Sequence, residues 1–138
     1  GYLEEALFCT QKALEENPES LPALETQAFL LKDLGRPIEA LAAFDRLLAA
    51  KPEHFYARFG KATALMAGQQ YEEAVQLFDQ LLTQQPGNRE LQINKGLALY
   101  LAGRQEEAME IPAFMEAFTA QLKEELQKQP QPSNAPTS

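Results

Sequence analysis

The sequence has no tryptophan, one cysteine and one histidine. A single cysteine excludes an internal disulfide framework. A single histidine, with no Cys or carboxylate cluster in metal-ligand spacing around it, argues against a protein-built zinc site. Basic residues are scarce as well. Twelve Lys and Arg stand against twenty Asp and Glu, for a formal net charge of -8. Such a chain has no positive field to draw in phosphates, so nucleic acid is not an expected partner. Apolar runs such as Ala40–Phe44 are too short to cross a bilayer, and no membrane association is expected. The seven glycines are scattered, with no phosphate-cradling loop among them. The chain opens Gly1-Tyr2-Leu3-Glu4-Glu5, with no Met and no basic stretch leading into an apolar one. No signal peptide is in view. Gly1 reads as a cut point in a longer chain, and the cytoplasm is the expected location.

What remains is ordinary for one globular domain: 138 residues, 45% hydrophobic and 23% charged. Its arrangement is not ordinary. Pro18, Pro52 and Pro86 are spaced by 34 residues, as are Ala6, Ala40, Ala74 and Ala108. The same interval links Leu14, Leu48 and Leu82; Leu31, Leu65 and Leu99; Phe44 and Phe78; and Ala28, Ala62 and Gly96. A fixed period of this length marks a repeat architecture. Within each unit the apolar residues recur at three and four, as in Leu24, Ala28, Leu31 and Leu34, which is helical spacing.

The punctuation agrees. Gly35, Gly68 and Gly103 stand where a first helix should stop in a left-handed cap. The prolines follow each second helix, which they cannot continue. Ser20 and Asn88 are candidate N-caps. Glutamates at 39, 72–73 and 106–107 fall in first turns, where negative charge suits the helix dipole. The spacing predicts helices over roughly residues 2–16, 20–34, 37–50, 54–67, 71–84, 88–102, 105–111 and 113–128.

A helix–turn–helix unit of 34 residues resembles the tetratricopeptide repeat. The motif A-x3-F followed by P is matched by Ala40, Phe44 and Pro52, and again by Ala74, Phe78 and Pro86. The position that holds Trp in the family holds Leu24, Arg58 and Gln92 here. The resemblance spans roughly residues 1–111. It implies an all-α, right-handed superhelical solenoid of about three and a half units.

Residues 1–18 form a half repeat, and 21–54, 55–88 and 89–111 form repeats, the last irregular. A terminal helix over 112–128 and a disordered tail or linker over 129–138 complete the domain plan. Pro112 should break the helix near Ile111. The half repeat lacks its first helix, so Leu7 and Leu14 are expected to be bare. They would contact another molecule, which could be a second copy of the chain.

Chemistry-bearing candidates are sparse. Cys9 has no cationic neighbour in sequence to activate it. His54 reads as an exposed residue of a helix start. The methionines at 66, 109 and 115 read as core filler. No catalytic, metal or cofactor site is expected, and the chain is expected not to be an enzyme.

The face of each first helix opposite Ala28, Ala62 and Gly96 is the candidate site. At about 100° per residue, Thr26, Gly60 and Asn94 point away from the hairpin partner. With their neighbours one turn away, they outline a groove of Phe29, Tyr56, Phe59, Thr63, Ile93, Asn94, Leu97 and Tyr100, with Met66 near its rim. The expected function is a protein–protein interaction module that binds a peptide or helix of a partner in this apolar concave groove. Only Asn94 fits a clamp for a terminal carboxylate, so that mode is disfavoured. The alternatives are a self-associating scaffold segment, or a region serving a catalytic domain of a longer parent.

Overall fold

The computed structural model describes residues 1–129. Eight helices follow one another: α1 (Tyr2–Glu16), α2 (Leu21–Asp33), α3 (Pro37–Ala50), α4 (Phe55–Ala67), α5 (Tyr71–Gln84), α6 (Arg89–Leu101), α7 (Gln105–Met109) and α8 (Pro112–Lys128). Strands are absent among the described residues. The tail expected over 129–138 lies, from residue 130 on, outside them.

The 34-residue period fixes the ends of the helices. Ser20, His54 and Asn88 occupy one repeat position. Each side chain accepts the backbone N–H three residues on, from Ala23, Ala57 and Leu91, at 3.4, 3.2 and 3.1 Å. His54 does so through Nδ1 and is half-buried, with Nε2 at 3.5 Å from Glu25. It is therefore a helix cap, not the exposed residue the sequence reading expects.

The first helices close in register too. The N–H groups of Arg36, Gln70 and Arg104 donate back to the carbonyls of Leu31, Leu65 and Leu99. That six-to-one bond requires a left-handed residue just before the donor. Gly35 and Gly103 supply it, with φ of 72° and 87°. In the middle unit Gln69, not Gly68, takes the left-handed conformation, at φ 64°. Gly68 sits one residue early, at φ -84°.

The helices form two layers. α2, α4 and α6 make one; α1, α3, α5 and the short α7 make the other. α3 and α5 each pack between their own first helix and the next one, and α1 packs on α2. α2 and α4 also approach each other directly, with no comparable approach between α3 and α5. At α2 and α4 the first-helix layer is therefore the tighter, inner side. The core runs between the layers in two clusters. One is built on Leu24, Ala28, Phe44 and Leu47, the other on Leu65, Phe78, Leu81 and Leu91.

Leu7 and Leu14 belong to the first cluster, at 4% and 8% exposure. This corrects the expectation that the half repeat would leave them bare. α1 stacks on α2, the first helix of the following unit, and both leucines point into that contact with Leu24, Ala28 and Leu31. The large apolar residues that α1 leaves exposed are Tyr2 and Phe8, and Cys9 is exposed beside them.

At the other end, Ile111 is extended (φ -84°, ψ 109°) and Pro112 opens α8 in its first turn, where a missing N–H costs nothing. α7 is therefore only five residues long. α8 then packs on α6 beside α7, with Phe114 against Gly96.

Candidate functional site

The inner face is shaped by what the second helices push into it. Phe44 on α3 meets Phe29 edge-on at 5.1 Å and also lies against Gly60. Phe78 on α5 meets Phe59 at 6.2 Å, and Phe114 meets Tyr100 at 6.1 Å. Tyr100 lies at 5.1 Å from Phe118 as well. The rings of Phe29, Phe59 and Tyr100 are thus half-buried, each with one side against the core. Gly60, expected to face the groove, is fully buried under Phe44. The reason is geometric. A first helix in a stack touches the preceding second helix as well as its own, so only part of the side opposite its hairpin partner stays open.

The other five candidates lie further out. Tyr56 is 67% exposed and Leu97 39% exposed. Ile93 is half-buried and belongs to neither core cluster. Thr63 donates its hydroxyl to the Gly60 carbonyl at 2.9 Å, and Asn94 donates one amide N–H to the Glu90 carbonyl at 3.0 Å. Asn94 keeps its second N–H and its carbonyl oxygen for other contacts.

Charge is arranged around these residues rather than among them. Lys61 pairs with Asp45 at 2.7 Å and Lys95 with Asp79 at 2.6 Å, one repeat period apart. Each tie joins a first helix to the preceding second helix. Arg89 reaches Glu116 on α8 at 3.2 Å. Arg58 and Gln92, at the positions that hold Trp in the family, bond back to the carbonyls of Pro52 and Pro86 at 2.9 and 2.8 Å. These five side chains therefore tie helices and loops together.

The strongest electrostatic feature lies elsewhere, on the edge at α7. Arg104 holds both carboxylate oxygens of Glu107, at 2.9 and 2.6 Å, and a Glu72 oxygen at 2.9 Å. The hydrogen bonds from Arg104 keep the Glu107 carboxyl below the ordinary glutamate value. Concavities also lie at the hairpin ends. One of about 530 Å³ is lined by Pro18, Leu24 and Arg46, and one of about 400 Å³ by Leu82, Pro86 and Ile111. Neither includes a residue of the candidate groove. Among the described residues no three His, Cys, Asp or Glu side chains converge to hold a metal ion, and no helix is long and apolar enough to cross a membrane.

One surface escaped the sequence reading. Met115, assigned to the core, is exposed, and so are Leu122 and Leu126 further along α8. Their spacing of four and seven was visible in the sequence, but the side of the helix left without a neighbour was not.

Comparison with known proteins bears on the fold. The tetratricopeptide repeat model matches residues 25–89 and again 61–111. Comparison with curated proteins finds no match. Among solved structures, MamA MSR-1 C2 superposes with a TM-score of 0.75 at 18% identity, over 90% of this chain and 70% of that one. MamA 41-end from Desulfovibrio magneticus RS-1 gives a TM-score of 0.76 at 17% identity, over 89% and 68%. A tetratricopeptide repeat protein from Parabacteroides merdae ATCC 43184 gives 0.68 at 27% identity, over 86% of this chain and 46% of that chain. The chain thus spans less than half the length of that last relative. The repeat period, the two-layer stack and the family match agree. The chain belongs to the tetratricopeptide repeat family, and its fold is the right-handed all-α solenoid of that family.

Proposed function

We propose that this chain is a non-enzymatic interaction module that receives a peptide or helix of a partner protein on the inner face of its first helices. The observation that carries the reading is the exposure of Tyr56 and Leu97 on that face, with the polar Thr63 and Asn94 also on it. The apolar side chains would supply affinity. The spare amide groups of Asn94 would pair with a ligand backbone. Phe29, Phe59 and Tyr100 contribute their outer edges, and Ile93 fills between. The family fold is an interaction scaffold in general, and a cytoplasmic setting is consistent with this role.

A test begins from peptides selected on the wild-type chain from a randomised phage library. Their affinity is then measured by titration calorimetry. Tyr56→Asp and Leu97→Asp should each weaken binding by about tenfold or more, the scale of losing one well-packed anchor. Circular dichroism melts of both variants should stay near wild type. Unchanged affinity in both variants would overturn the reading.

A further inference from the structure

α8 is anchored at one end only. Ala113 and Phe114 are buried, and Phe118 lies half-buried at 5.7 Å from Phe114. From Thr119 to Gln129 every residue is exposed. Yet this overhang is not polar all round. Leu122 is 49% and Leu126 67% exposed, and with Met115 and the outer side of Phe118 they fall within an arc of about 80° at helical spacing. The row that seats the helix on the body therefore continues outward as an uncovered apolar stripe.

The charges beside the stripe are self-complementary. Glu116 and Lys123 lie on the same flank, seven residues apart and opposite in sign. In an antiparallel pair of identical helices, a flank faces itself in reverse order. Glu116 of each copy then lies within a turn of Lys123 of the other, so the contact is formed twice. The same register sets Met115 opposite Leu126 and Phe118 opposite Leu122, a self-complementary apolar seam. We infer that α8 pairs antiparallel with α8 of a second copy of this chain, so that the overhang of each lies along the anchored half of the other. This surface is separate from the inner face proposed above and does not depend on it.

The interface is short, so the pairing belongs with weak, reversible dimers. Sedimentation equilibrium of the full chain, up to roughly 200 µM, is a range suited to such an interface. The mass should rise from 15.4 kDa toward twice that value. Leu122→Glu should stay monomeric throughout, with an unchanged melt. Since Arg89 binds Glu116, the charge variants are made in an Arg89→Gln background. Lys123→Glu should weaken the dimer about tenfold, as two like-charged contacts replace two ion pairs. Adding Glu116→Lys should restore it to within about twofold, because both contacts re-form with reversed sign. A wild-type monomer over the whole range, a Leu122→Glu dimer, or a double reversal as weak as the single one would each overturn the proposal.

Discussion

Gly60 on α4 lies directly beneath the ring of Phe44 on α3, so closely that a methyl group at Gly60 would overlap Cζ and Cε1 of the ring. Gly96 bears the same relation to Phe114. Replacing a glycine within a helix by alanine normally gains about 1 kcal/mol. Here that gain is opposed by overpacking, which costs about 1–3 kcal/mol. An overlap with a fully buried ring belongs at the upper end of that range.

Gly60→Ala is therefore expected to lower stability in urea denaturation by about 2 kcal/mol. In a Phe44→Leu background the obstruction is gone, and the same substitution should stabilise. A penalty that persists there would show that Phe44 is not its cause.

The left-handed residue that ends α4 gives a prediction of opposite sign. Gln69 holds φ 64° where the flanking repeats have glycine. A side chain in that region costs about 1–2 kcal/mol, partly offset by the greater freedom of glycine in the unfolded chain. Gln69→Gly should therefore raise stability by about 0.5–1 kcal/mol, and Gly35→Ala should lower it. A destabilised Gln69→Gly variant in thermal melts would contradict the capping assignment.

Glu107 offers a test by pH. Arg104 holds its carboxyl below the ordinary value of 4.5. A carboxyl depressed in the folded state contributes stability above its unfolded pKa, and that contribution is lost as pH falls through the folded value. A carboxyl-carbon NMR titration should place the Glu107 midpoint below 4.5. In Arg104→Gln the midpoint should rise toward the ordinary value. An unmoved midpoint would mean that the ion pair does not persist in solution.

The contrast between surface and core supplies a fourth prediction. Leu65 and Phe78 are buried in the second cluster. Burying an unpaired carboxylate there costs several kcal/mol, comparable with the whole stability of a small domain. Leu65→Asp and Phe78→Asp should lose helical circular dichroism at 25 °C, whereas Tyr56→Asp and Leu97→Asp should keep it. A folded Phe78→Asp variant would contradict the packing described for α5.

The period of 34 made the fold legible before any coordinates, because Ala40, Phe44 and Pro52 recur as Ala74, Phe78 and Pro86. What was missed depends on neighbours. Gly68 looks like the cap by residue type, but the hydrogen bond from Gln70 to Leu65 selects the next residue, Gln69. His54 shares a column with Ser20 and Asn88, yet imidazole is an unusual cap and its type obscured the match. Leu7 and Leu14 look bare in the sequence because α1 lacks its own first helix, although a second helix also packs on the unit that follows. In the groove, angular position on a helix told which side a residue faces. It did not tell how far Phe44, Phe78 and Phe114 reach through, and that reach draws Phe29, Phe59 and Tyr100 toward the core.

The interaction face itself is tested most directly by amide chemical-shift mapping. The isotopically labelled chain is titrated with a peptide selected on it from the randomised library. If the inner face receives the peptide, the largest shifts should fall on Tyr56, Thr63, Asn94 and Leu97 and on their neighbours in α4 and α6. Shifts confined to α8, or to the outer faces of α3 and α5, would contradict the account.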